Sequence, residues 1–110
     1  MNPDTKKSRV VITGYGMITP LGRNCEETFS NCSHGRSGID YIQSFDTSGL
    51  PCHIGGEVSE AWIEKLENKD AQKYRKYSSR GLRLMQIATA EAAAQGGLSS
   101  IEDRHAIGVA

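Results

Sequence analysis

Three cysteines and three histidines are the side chains of this sequence best able to act as nucleophiles, general bases or metal ligands: Cys25, Cys32, Cys52, His34, His53 and His105. Their spacing argues against each role. An odd number of cysteines with no C-x-x-C pair fits neither a disulfide framework nor a zinc knuckle. Cys25 and Cys32 lie seven apart, on one face of a predicted helix, where cysteine serves as a small buried hydrophobe. Cys52 and His53 are neighbours, and successive side chains of an extended chain point in opposite directions, so they form no dyad. No catalytic residue and no metal ligand is assigned.

Two other constellations could bind. Gly14-Tyr15-Gly16-Met17-Ile18-Thr19-Pro20-Leu21-Gly22 follows an apolar run and invites a dinucleotide-binding reading. That fingerprint needs G-x-G-x-x-G, but Thr19 stands three residues past Gly16, and no acidic residue closes a second strand about twenty residues on. Asp40 falls in an irregular region, so no nucleotide cofactor is expected. The second constellation is basic. Lys69, Lys73, Arg75, Lys76, Arg80 and Arg83 fall within fifteen residues, opposed in that stretch only by Asp70. Such a run is either a solvated helix face or a surface that steers an acidic partner.

The elements that must position these residues read as α/β. Arg9–Thr13 is a β-branched run that alternates poorly, which predicts a strand covered on both faces. Asn24 is placed to cap a helix over 25–34, with Glu27 in capping-box position, Phe29 on the apolar side and Gly35 as the stop. Residues 36–58 are irregular, with a short strand over 53–58. Ser59 starts a brief helix carrying Trp62, Ile63 and Leu66, and a longer helix is expected over 71–95, ended by Gly96-Gly97. The small residues of Ile87–Ala94 let neighbouring elements approach closely. Residues 104–110 read as a second buried strand, joined to the first by parallel crossovers.

Bulk properties narrow the field. Thirteen basic and thirteen acidic residues cancel, so no overall field points to nucleic acid or a membrane surface. No apolar run approaches membrane-spanning length, and residues 1–8 lack a signal peptide's apolar core. The chain is expected to be cytoplasmic, with residues 1–8 as a disordered tail.

Arg9–Gly22 closely resembles the opening of the β-ketoacyl-acyl-carrier-protein synthases, condensing enzymes that begin with a V-V-[IV]-T-G strand and G-x-G-x-x-[ST]-P-x-G. Further landmarks stand in the same order: Gly35–Ile39 resembles the G-x-S-G-I turn, Phe45–Ser48 the F-D-x-S step, and Gly56–Val58 the strand after it. Glu91–Leu98 resembles the end of the long helix, and Ala106–Val109 the I-G-V-x strand. A departure is Lys76–Gly81, where the family commonly shows an R-R-M-D-R-F-like stretch. Gly81 within a helix is expected to answer to a close packing contact.

The resemblance implies that residues 9–110 are the N-terminal segment of a ketosynthase II-like domain with a thiolase-like layered α/β/α/β/α fold, incomplete in this chain. It implies an acyltransferase of fatty acid or related polyketide synthesis that condenses acyl and malonyl thioesters with decarboxylation. It also implies acyl carrier protein as partner, a homodimer when complete, and no cofactor. The family's nucleophilic cysteine and two histidines lie downstream of the matching landmarks, so the chain alone is expected to be inactive. A non-catalytic truncated binding or assembly module is the alternative. The resemblance further implies carrier-protein docking on Arg75, Lys76 and Arg80.

Overall fold

The computed structural model describes residues 7–103 and 107–108. Its elements follow in the order α1 (Cys25–Ser33), β1 (Ile39–Tyr41), β2 (Ile54–Gly56), α2 (Glu60–Leu66), α3 (Lys69–Lys73), a 3-10 turn (Arg75–Tyr77), α4 (Arg80–Gln95) and a second 3-10 turn (Leu98–Ser100). The chain is thus mixed α and β, dominated by helix. Of the expected tail over 1–8, residues 1–6 lie outside the described residues. So does most of the strand expected over 104–110, of which only 107 and 108 are described, without regular structure.

α1 forms as its boundary residues dictate. The Asn24 side chain accepts from Glu27 N, which satisfies one of the free amides of the first turn. Glu27 does not complete a capping box with Asn24. Its carboxylate instead accepts from the backbone and side chain of Arg23, one residue earlier. At the other end Gly35 takes φ 70°, donates to Cys32 O and lets Arg36 donate to Asn31 O. That pair of bonds satisfies two orphan carbonyls and needs a left-handed residue, which glycine supplies without strain.

The strand expected over 9–13 does not form among the described residues. Val10 is 97% exposed and Ile12 86%, and no ladder includes them. A strand exists only beside a partner, and the described residues supply none there. The one sheet among the described residues is instead a short antiparallel pair, Ile39 opposite Gly56 and Tyr41 opposite Ile54. β2 was expected within 53–58. Its partner β1 lies in the stretch expected to be irregular, because three residues next to Gly38 carry too little pattern to register. The pair lies over the tight turn at Pro20-Leu21, where Thr19 and Gly22 exchange backbone hydrogen bonds of 2.9 and 3.2 Å.

The long helix expected over 71–95 is also broken. α3 starts earlier, at Lys69, because the Asn68 side chain accepts from Ala71 N at 2.6 Å. The chain tightens to a 3-10 turn, Ser78 adopts an extended backbone, and Ser79 caps a fresh helix by accepting from Leu82 N. Serine side chains bond to nearby backbone and so favour caps over helix interiors, which accounts for the break at Ser78-Ser79. α4 ends at Gly96, followed by Gly97 at φ 67°. The core among the described residues is small: Ile63 of α2 is fully buried and Ile87 of α4 nearly so, on two helices that meet. Phe29, expected on an apolar face, is 76% exposed.

Candidate functional site

Three of the six basic residues, Arg75, Arg80 and Arg83, are held by carboxylates that lie outside the basic stretch. Glu60, Glu64 and Glu67 recur at helical spacing, so they share one face of α2 and its C-cap. Glu67 sits innermost, its side chain 1% exposed. It accepts from Arg83 Nε and from Arg75 Nη2, the latter at 3.1 Å. Glu60 bridges Arg80 and Arg83, with Arg83 Nη1 at 2.6 Å. Arg80 also donates to Val58 O. Glu64 reaches Arg75 Nη2 at 3.3 Å. Arginine suits these positions because its planar guanidinium presents several fixed donors to carboxylates.

The electrostatics follow from those pairs. Hydrogen bonds from Arg83, followed by bonds from Arg75, hold the Glu67 carboxyl below the usual carboxylate range against the opposing effect of burial. Glu60 is lowered in the same way, chiefly by its bond from Arg83. Glu67 in turn raises the Arg83 pKa. Glu60, Glu67 and Arg83 therefore stay charged together across ordinary pH.

The three residues singled out for docking are separated by this arrangement. Arg75 and Arg80 are tied to α2, whereas Lys76 stands beside the Tyr77 ring, its Nζ 4.8 Å from the centroid. Lys73 lies 5.6 Å from the Tyr74 ring. Among the described residues no carboxylate pairs with Lys69, Lys73 or Lys76, so these lysines carry the uncompensated charge of the face. Sequence reading missed the α2 glutamates, although their E-x-x-x-E-x-x-E spacing was a usable signal of a charged helix face.

The glycine-punctuated loop packs on α4. Tyr15 N donates to Gln95 Oε1 at 2.7 Å, and Met17 N donates to Glu91 Oε2 at 2.9 Å. A Cβ on Gly16 would overlap the Ala88 carbonyl oxygen and stand 2.9 Å from Ala92 N. One on Gly14 would overlap Ala92 O and stand 2.6 Å from Gly96 N. Neither glycine has a positive φ, so they are needed for backbone approach rather than for turn conformation. The small-residue run of α4 works as expected, because Ala88 and Ala92 leave room for the loop. A Cβ on Gly81, by contrast, would meet nothing nearer than Ser79 Oγ at 4.0 Å, so no packing contact among the described residues requires it.

The potential nucleophiles are dispersed. Cys25 is half-buried, and its N and Sγ both donate to Glu91, at 2.9 and 3.6 Å. Burial, followed by the Glu91 charge, pushes the Cys25 thiol up, which keeps it neutral and a poor nucleophile. Cys32 and Cys52 are exposed, so Cys32 is not the buried hydrophobe expected: α1 turns that part of its face to an open groove with Tyr15 and Phe29. His34 Nδ1 lies 2.7 Å from Ser30 O and His53 Nδ1 3.1 Å from Thr47 Oγ1, whereas Cys52 Sγ faces Ile54 O. Cys52 and His53 thus have different partners. His105 lies outside the described residues.

Comparison with known proteins bears on the same stretch. The family described as beta-ketoacyl synthase, N-terminal domain, matches residues 7–110. The chain is 37% identical over 79 residues to the chloroplastic 3-oxoacyl-acyl-carrier-protein synthase II of Arabidopsis thaliana, covering 68% of this chain and 15% of that protein. It is 39% identical over 69 residues to 3-oxoacyl-acyl-carrier-protein synthase 2 of Synechocystis sp., covering 62% and 17%. It is 49% identical over 49 residues to the tetracenomycin polyketide synthase ketoacyl synthase beta subunit of Streptomyces glaucescens, covering 44% and 12%. The matched stretch thus spans less than a fifth of each relative's length. No helix among the described residues is long and apolar enough to cross a membrane.

Proposed function

This chain belongs to the β-ketoacyl synthase family, and we propose that the protein it represents is an acyltransferase of fatty acid or related polyketide synthesis. The family match over residues 7–110 carries this reading. In the proposed reaction a cysteine takes an acyl group from a carrier-protein thioester and releases the carrier thiol. A malonyl thioester then loses carbon dioxide, and its enolate attacks the acyl-enzyme carbonyl, freeing the cysteine. Such chemistry needs an activated thiolate and donors for the enolate and oxyanion. Cys25, held neutral beside Glu91, does not meet the first requirement. The nucleophile and its histidines are therefore assigned to sequence outside these 110 residues, in a thiolase-like layered fold that this segment begins, in a cytoplasmic homodimer.

The segment's own part in this reading is architecture and docking. Lys69, Lys73 and Lys76, unpaired with any carboxylate among the described residues, offer positive charge to acyl carrier protein, with Arg75 and Arg80 tied to α2. A condensation assay with malonyl- and acyl-carrier-protein on the purified 110 residues tests the assignment. No turnover is expected, and clear turnover would force one of the six Cys and His residues into the catalytic role. The alternative, a non-catalytic assembly module, draws on the match to a relative named as a subunit of a polyketide synthase. It predicts a stable complex with a separately supplied ketosynthase chain and no gain in condensation rate.

A further inference from the structure

The basic face carries its own competitor. Of the three α2 glutamates, two cannot be spared. Glu67 is buried against two arginines, and Glu60 compensates Arg83, which is itself nine-tenths buried. Glu64 differs on every count. Its side chain is 53% exposed, and its one ion-pair partner among the described residues is Arg75, whose Nη2 lies 3.3 Å away and also donates to Glu67. Arg75 is itself 40% exposed. An exposed contact of this kind contributes little to the fold. Its electrostatic effect on a neighbour is another matter, because it cancels the one arginine charge contiguous with Lys73 and Lys76.

We propose that Glu64 is an internal counter-ion that competes with an anionic protein partner for Arg75, and so sets how tightly the basic face binds. This rests on the docking reading above. When a partner carboxylate or phosphate approaches, Arg75 keeps its Glu67 bond and exchanges its Glu64 ion pair for one with the partner. Glu64 rehydrates at small cost because it is already half in water. The same residue disfavours partners too weakly charged to displace it, which is selection by repulsion rather than by contact. Arg75 therefore has two duties, one buried and structural toward Glu67, the other exposed and exchangeable toward Glu64.

The test is a titration of the full chain with fluorescently labelled acyl carrier protein, followed by anisotropy, at about 20 mM and about 300 mM salt. Glu64→Gln should tighten binding about two- to fivefold at low salt, the range expected for relief of one exposed charge, and the gain should collapse at high salt. Lys76→Glu should weaken binding at low salt. Glu64→Gln should leave the denaturation midpoint unchanged, and Glu64→Ser, which is shorter and also neutral, should reproduce the tightening. If both Glu64 variants bind as the parent chain does while Lys76→Glu binds more weakly, the counter-ion role is overturned and the docking reading stands. If the parent chain shows no salt-sensitive binding and Lys76→Glu changes nothing, the docking reading falls and takes this proposal with it.

Discussion

Substituting Gly16 by alanine should be one of the most damaging single-methyl additions available in this chain. The new Cβ would overlap Ala88 O and come within 2.9 Å of both Ala88 C and Ala92 N, all of them backbone atoms of α4 that cannot swing aside. The loop must then lift off the helix. Two hydrogen bonds depend on its present height: Met17 N to the Glu91 carboxylate at 2.9 Å and Tyr15 N to Gln95 at 2.7 Å. A bond to a charged group contributes about 1.5–3 kcal/mol and a neutral one about 0.5–1.5, so losing both costs about 2–4.5 kcal/mol. Against a typical domain stability of about 5–15 kcal/mol that is a large fraction. Gly49→Ala is the matched control, since nothing lies within 4 Å of its Cβ, and it should shift stability by no more than about 0.5 kcal/mol. Urea melts would give the difference, and amide exchange at Tyr15 and Met17 would show whether the loop has lifted. A Gly16→Ala chain with the parent's midpoint and both amides still protected would refute the close-approach reasoning.

Glu67→Gln should destabilise by about 3 kcal/mol, toward the low end for a broken buried pair because Glu60 still holds Arg83; denaturant melts check this. The Glu67 carboxyl is held below its ordinary range, so its contribution is complete above the unfolded value of about 4.3 and is lost as pH falls through the lower folded one. Melts between about pH 5 and pH 2 should show that loss in the parent chain and a flatter profile in Glu67→Gln. Gly81→Ala should stabilise by about 0.5–1 kcal/mol, because the helix gains propensity and the methyl group meets only Ser79 Oγ at 4.0 Å; a destabilised variant would reveal an unrecognised contact. The isolated chain should self-associate through the bare Val10–Ile12 segment, and Val11→Lys should move light scattering and sedimentation toward monomer.

How much was legible depends on the reach of the signal. Helix ends are written within four residues, and Asn24, Gly35, Ser59 and the Gly96-Gly97 pair each mark the boundary expected of them. The break at Ser78-Ser79 was also local, but helical periodicity on both sides masked it. The cross-element features were not legible. Nothing near Arg83 announces that Glu67, sixteen residues earlier, will be its partner, because that pairing exists only once α2 lies along α4. The β1–β2 pair is short and glycine-rich, so its alternation is too brief to register. For the candidate docking face, the basic residues were visible in sequence. Which of them are already neutralised was not.

The largest disagreement, the bare Val10–Ile12 run, has a physical source in what a hydrophobic pattern encodes. A β-branched run records that both faces are to be covered, but not by which part of a protein. Here the described residues cover Ile63 and Ile87 and leave Val10, Ile12 and Phe29 to water. The polar contacts behave differently. The Glu67 carboxylate, the loop on α4 and the Asn24 cap find their partners within the described residues, since a buried charge must be paired close by, although Arg75 Nε and Arg83 Nη2 are buried there with no hydrogen-bond partner among those residues. Apolar surface tolerates a distant or later partner at a cost of about 25 cal/mol per Å² while it waits. The division of labour that follows suits the proposed role. Polar contacts fix the loop and the basic face within this segment, and the exposed apolar residues mark where other elements of a ketosynthase domain would pack.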